Sequence, residues 1–122
     1  MAFAIPHPFH WDASFDVHHT KINEQHVQLF ELINDLEAHM HDGAKLKALL
    51  DYAVMHFHFE EHEFEAHHYA DAVAHKAIHD QFVHDAVAAT AGGKVNADII
   101  QFLKNWLVNH IMGSDMKYAG KI

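Results

Sequence analysis

The chain has 122 residues, half of them hydrophobic, no cysteine, and a formal charge of −9 carried against eight lysines and no arginine. That length supports one domain with a real apolar core. The composition excludes disulfides, thiolate metal sites, Fe–S clusters and cysteine nucleophiles, and it argues against nucleic acid or anionic membrane surfaces as partners.

In chain order, the two prolines at positions 6 and 8 make residues 1–18 read as an extended arm, in which Trp11 and Phe15 are expected to pack across the rest. The start MAFAIPHPFHWD lacks the basic and continuous apolar stretches of a signal peptide, and no run of about 18 apolar residues follows, so a cytoplasmic location fits. Breakers at Asp42-Gly43, His67-His68, Gly92-Gly93 and Gly113 then divide the chain into four helical segments near 19–41, 44–66, 70–91 and 96–113.

Each segment carries apolar residues at three- and four-residue spacing. They are Ile22, Leu29, Phe30, Ile33, Leu36 and Met40 in the first, and Leu46, Leu49, Leu50, Ala53, Phe57 and Phe64 in the second. The third has Val73, Ile78, Phe82 and Ala86; the fourth has Ile99, Ile100, Leu103, Trp106, Leu107 and Ile111. Short connections favour antiparallel neighbours, so the expected fold is an all-α, up-down-up-down four-helix bundle with an N-terminal arm.

Sixteen histidines are the unusual feature of the composition. A residue advances about 100° around a helix, which sorts them by face. His26 falls in the series 22–26–29–33. His56 and Glu60, four apart, border the stripe of the second helix. His75 and His79 repeat that spacing on the third. His110 continues the series 99–103–106–110 on the fourth. Five imidazoles and a carboxylate therefore aim between four helices, and a buried ionised Glu is expensive unless paired or bound to metal. Asp115 is a seventh candidate that spacing leaves open. It follows His110 by five residues and reaches inward only if the chain breaks near Gly113. His58 and His62 also match ligand spacing but read as solvent-facing, and Glu61, Glu63 and Glu65 read as a solvated acidic face.

The pieces IPHPFHWDASF, Glu24-Gln25-His26, HFHFE at 56–60, HKAIH at 75–79, WLVNHIMGSD at 106–115 and the closing MKYAGKI resemble the hemerythrin and myohemerythrin family over nearly the whole chain. The resemblance implies a single domain over residues 1–122 holding two iron ions, cycling between Fe2+ and Fe3+, with a bridging oxo or hydroxo group. It implies His75, His79 and His110 on one iron, His26 and His56 on the other, and Glu60 and Asp115 bridging. It also implies Leu107, beside Trp106, as lining of an oxygen pocket.

The expected function is reversible dioxygen binding for storage or transport, by a monomer or homo-oligomer and not an enzyme. The alternatives are a di-iron oxidase or peroxidase, an oxygen sensor, or an iron buffer. One departure from the family pattern is the extra histidine in HFHFEEHEFEAHHYADAVAH. These imidazoles read as exposed and incidental, able at most to bind stray metal weakly or to give a pH-dependent charge.

Overall fold

The computed structural model describes residues 3–122; the first two residues of the expected arm lie outside it. Four helices carry the fold: α1 (Thr20–Ala38), α2 (Gly43–Ala66), α3 (Ala72–Ala89) and α4 (Ala97–Gly113). Three short 3-10 helices, Ala13–Phe15, Ala91–Gly93 and Asp115–Tyr118, complete the secondary structure among the described residues.

Local chemistry sets the ends. His19 caps α1 by accepting from the Ile22 N–H at 3.3 Å through Nδ1. Asp42 caps α2 at the Ala44 N–H, and Asn96 caps α4 at the Ile99 N–H, each at 2.9 Å. Such side-chain acceptors satisfy amides that have no partner inside a helix. Between α3 and α4 the chain reverses through Gly92 and Gly93, whose φ of 77° and 75° lie in the left-handed region that side chains with a Cβ avoid. The first helix stops at Ala38, earlier than the expected 41, because the His39 N–H turns back to the Leu36 carbonyl.

The helices pack antiparallel around one core. Gln25 meets His56 while the earlier His19 meets Glu63, so α1 and α2 run oppositely. Phe57 packs on Phe82 while the later Phe64 packs on His75, which sets α2 against α3. His79 meets His110 while the later Phe82 meets Phe102, and His26 meets Asp115 while Glu37 meets Lys104; these close the ring through α4. The chain is thus an all-α four-helix bundle. The arm crosses its outside: Phe9 stacks on Phe30 at 4.4 Å, Phe15 lies 5.2 Å from the same ring, and Asn34 donates to the Phe9 carbonyl at 2.7 Å. Trp11 is half-buried against the core.

On α3 the apolar stripe is narrower than the sequence suggests. Phe82 and Ala86 are buried, but Val73 is 85 % exposed and Ile78 is 40 % exposed. His75 and His79 take the inward face of α3 instead, so the helix turns its polar ligand-type residues to the centre and leaves two apolar residues outside. Every helix consequently contributes at least one imidazole to the middle of the bundle.

Candidate metal centre

The structure brings all seven sequence-predicted donors into one buried cluster. His26 comes from α1, His56 and Glu60 from α2, His75 and His79 from α3, His110 from α4, and Asp115 from the 3-10 helix after it. Glu60 and Asp115 are completely buried, and no imidazole of the set exceeds 6 % exposure.

Asp115 reaches the centre by a change of helix type. Gly113 is the last residue of α4, the Ser114 N–H still donates to the His110 carbonyl at 2.8 Å, and the chain then tightens into the 3-10 helix Asp115–Tyr118. Tighter winding re-aims the side chains, and both Asp115 and Tyr118 are buried as a result.

The donors form two groups. Glu60, His75, His79, His110 and Asp115 make one; His26, His56 and Glu60 make the other, with Glu60 common to both. Asp115 spans them as well. Its Oδ1 lies 3.0 Å from His75 Nε2 and 3.1 Å from His110 Nε2, while its Oδ2 lies 3.1 Å from His26 Nε2. Glu60 Oε1 sits 3.1 Å from His79 Nε2 and 3.5 Å from His56 Nε2. The division is three imidazoles against two.

A transition metal fits these donors. His26 Nε2, His75 Nε2, Glu60 Oε1 and both Asp115 oxygens are buried and have no hydrogen-bond partner, although they stand close together. His79 Nε2 and His110 Nε2 face each other at 3.2 Å. Ligands about 2.1 Å from a shared ion and at right angles lie roughly 3.0 Å apart, so the observed spacings suit coordination. Burying two carboxylates costs several kcal/mol each, roughly, without a compensating cation.

Three further residues hold the donors, and helical spacing alone did not single them out. Gln25 Oε1 accepts from His56 Nδ1–H at 2.6 Å, which leaves Nε2 unprotonated and turned to the centre. Glu61 Oε2 accepts from His79 Nδ1–H at 2.9 Å in the same way. Glu61 is therefore half-buried support for the site and not merely part of a solvated face; Glu63 is likewise half-buried, 3.4 Å from His19. The Tyr118 hydroxyl donates to Glu60 Oε2. Burial raises the Tyr118 pKa, and the neighbouring Asp115 and Glu60 carboxylates raise it further, so the phenol keeps its proton. A signal for Gln25 and Glu61 did exist: each lies next to a donor in the chain, His26 and Glu60 respectively.

The electrostatics follow from burial and proximity in the metal-free chain. Burial pushes the Asp115 carboxyl up, but the imidazoles of His110, His26 and His75 hold it well below its usual range. Burial and Asp115 push Glu60 up, and His56, His79 and His26 outweigh them and lower it. Burial lowers His79, whereas Glu60 and Glu61 raise it to a net upward shift. Burial dominates at His56 and lowers it from 6.5 to about 4.

Beside the donors lies a cavity of about 20 Å³, room for about one water-sized molecule. Leu107, Trp106, Phe57, Leu29 and Ala53 are among its lining residues, which are all apolar. Trp106 stacks on His110 at 4.3 Å and Phe57 on His79 at 4.0 Å. Leu29 follows His26 by three residues, and Ala53 precedes His56 by three, so the cavity also adjoins the two-histidine side.

Residues 17–122 match the model of the hemerythrin HHE cation-binding domain. The chain belongs to the hemerythrin family. It is 51% identical over 120 residues to a hemerythrin-like protein of Naegleria gruberi, covering 98% of each chain. It is 38% identical over 122 residues to a myohemerythrin of Theromyzon tessulatum, covering all of both. A crystal structure of wild-type hemerythrin superposes with a TM-score of 0.85 at 36% identity, covering 91% of this chain and 95% of that one. Membership in this cation-binding family agrees with the donor groups in the bundle. No helix among the described residues is long and apolar enough to cross a membrane.

Two outcomes are expected for the support and charge of the cluster. Gln25→Leu removes the acceptor on His56 and should lower metal affinity about 10–100-fold, read by competition with a chelator; unchanged affinity would show that Gln25 does not position the ring. In the metal-free protein, an unfolded His56 takes a proton below about 6.5 while the folded one stays neutral down to about 4. The unfolded chain thus binds more protons in that window, and stability falls as pH falls through it, by about 3 kcal/mol from this group. The contribution is whole above about pH 6.5 and gone below about pH 4. Urea unfolding between pH 7 and pH 4 should show a shallower loss in His56→Gln than in the parent; equal slopes would exclude His56 as the source.

Proposed function

We propose that the cluster holds two iron ions and binds dioxygen reversibly, for storage or transport. His75, His79 and His110 would hold one iron, His26 and His56 the other, with Glu60 and Asp115 bridging beside a solvent-derived oxygen. The observation that carries the reading is the inequality of the two donor groups. With Asp115 Oδ2 near His26, one group offers three imidazoles and two carboxylates, and the other offers two imidazoles and the same two carboxylates. The two-histidine side offers one imidazole fewer, and a small apolar cavity adjoins the cluster.

When bound, a diferrous pair supplies two electrons that dioxygen binding takes up and that return when the gas leaves. The chain's own residues make that exchange reversible. Gln25 and Glu61 fix the His56 and His79 rings, so the donor set changes little between states. Leu107, Trp106 and Phe57 line the cavity with apolar surface, which would exclude water and charged species from it.

Carriage is favoured over oxidase or peroxidase chemistry by the state of Tyr118. Cleaving the O–O bond calls for a ready proton donor. The buried phenol at the site is committed to Glu60 by its hydrogen bond. The donor set is also rich in neutral imidazole, with only two carboxylates.

Stopped-flow mixing of the diferrous protein with dioxygen tests the reading. A carrier gives an optical change that reverses when oxygen is removed, over repeated cycles. Irreversible oxidation with turnover of an added reductant would establish an enzyme instead. Leu107→Ala should speed autoxidation or ligand release by opening the pocket to water; identical rates for both processes would show that Leu107 does not guard the site.

A further inference from the structure

Five methionines occur in the chain. Among the described ones, Met40, Met112 and Met116 are half-buried, whereas Met55 is 44 % exposed. Met55 directly precedes the donor His56 on α2. The Gln25 amide Nε2–H donates to Met55 Sδ at 4.0 Å, while Gln25 Oε1 accepts from His56 Nδ1–H at 2.6 Å. Gln25 itself is buried. A chain of three side chains thus runs from an exposed thioether, through a buried amide, to an imidazole of the two-histidine group.

A thioether is a weak acceptor, and the length of the contact to Gln25 agrees with that. It is also the atom of methionine that oxidants attack, and an exposed side chain meets them before a packed one does. Hydrogen peroxide transfers one oxygen atom to the sulfur. The S–O bond forms, the O–O bond breaks, the sulfur gives up two electrons, and the peroxide leaves as water. The product is a sulfoxide, polar where the thioether was apolar. Its oxygen is a strong acceptor attached to the atom that the Gln25 donor already faces.

We propose that Met55 is a modification site, oxidised by peroxide to its sulfoxide, and that Gln25 relays the change to His56. A stronger bond from the Gln25 amide to the sulfoxide oxygen polarises that amide, and its carbonyl oxygen becomes a better acceptor for the His56 Nδ1–H. A better acceptor at Nδ1 makes Nε2 a stronger metal donor. Met55 is therefore a positioning residue for the two-histidine side, and the change reverses when the sulfoxide is reduced. The relay rests on the interior cluster holding metal. It does not require that centre to carry dioxygen, because peroxide supplied from outside performs the same step.

Limited treatment of the purified, air-oxidised protein with hydrogen peroxide tests the proposal, read by peptide mass mapping and by the rate of metal release to a chelator. Metal analysis beforehand separates the two readings: an empty cluster would contradict the metal centre, while mapping still decides which methionine reacts. Met55 should be oxidised several-fold faster than Met40, Met112 and Met116. The oxidised protein should release metal about two- to fivefold more slowly, a fraction of the effect of removing such a partner outright; general damage to the fold would speed release instead. Treatment with methionine sulfoxide reductase should restore the parent rate. In Met55→Leu, a swap of similar volume, peroxide should leave the rate of release unchanged. In Gln25→Leu, oxidation of Met55 should no longer alter it. Equal oxidation of the four methionines, release unchanged or faster after oxidation, or the same slowing in Gln25→Leu would overturn the proposal.

Discussion

Two fully buried carboxylates organise this molecule. Glu60 and Asp115 sit with no exposure in the centre of a bundle whose other layers are aliphatic and aromatic. Ionised groups in such a place are destabilising unless a positive charge or donors surround them. Five imidazoles, one or two from each helix, converge on the two carboxylates and hold both in the ionised form even without metal. A cation would complete the charge balance that the imidazoles begin. The need to gather these groups from four helices and a terminal 3-10 helix explains why the chain cannot form the site from any local segment.

The supports around the donors are unequal, and the inequality runs with the division of the histidines. His56, on the two-histidine side, rests on a neutral amide, Gln25. His79, on the three-histidine side, rests on a carboxylate, Glu61. A carboxylate acceptor makes an imidazole a stronger donor than a neutral one does, so His79 is the more strongly supported of these two rings. The apolar cavity lies one turn from donors of both groups: Leu29 and Ala53 from His26 and His56, Phe82 and Leu107 from His79 and His110. Donor count, three imidazoles against two, is what distinguishes the two groups.

Most of the architecture was legible because helical periodicity is a strong signal and the breakers are few. His26, His56, Glu60, His75, His79 and His110 lie on inward faces that a 100° rotation per residue identifies. Asp115 was not legible from spacing, since its direction depends on the switch from α to 3-10 winding after Gly113; the family resemblance placed it. Val73 and Ile78 misled because apolar spacing on α3 competes with inward histidines for the same helix. Gln25, Glu61 and Tyr118 escaped the spacing argument because their roles are fixed by partners on other helices, at separations of 31, 18 and 58 residues. Long-range partners of that kind leave no periodic trace in a single sequence.

The central claim is that one cluster holds two metal ions unequally ligated. A crystal structure of the iron-loaded protein, with anomalous scattering measured on either side of the iron absorption edge, tests it most directly. The account predicts two iron peaks in the bundle, one bonded to His75, His79 and His110 and the other to His26 and His56, with Glu60 and Asp115 touching both. A single iron peak, or two peaks with the histidines divided in any other way, would contradict it.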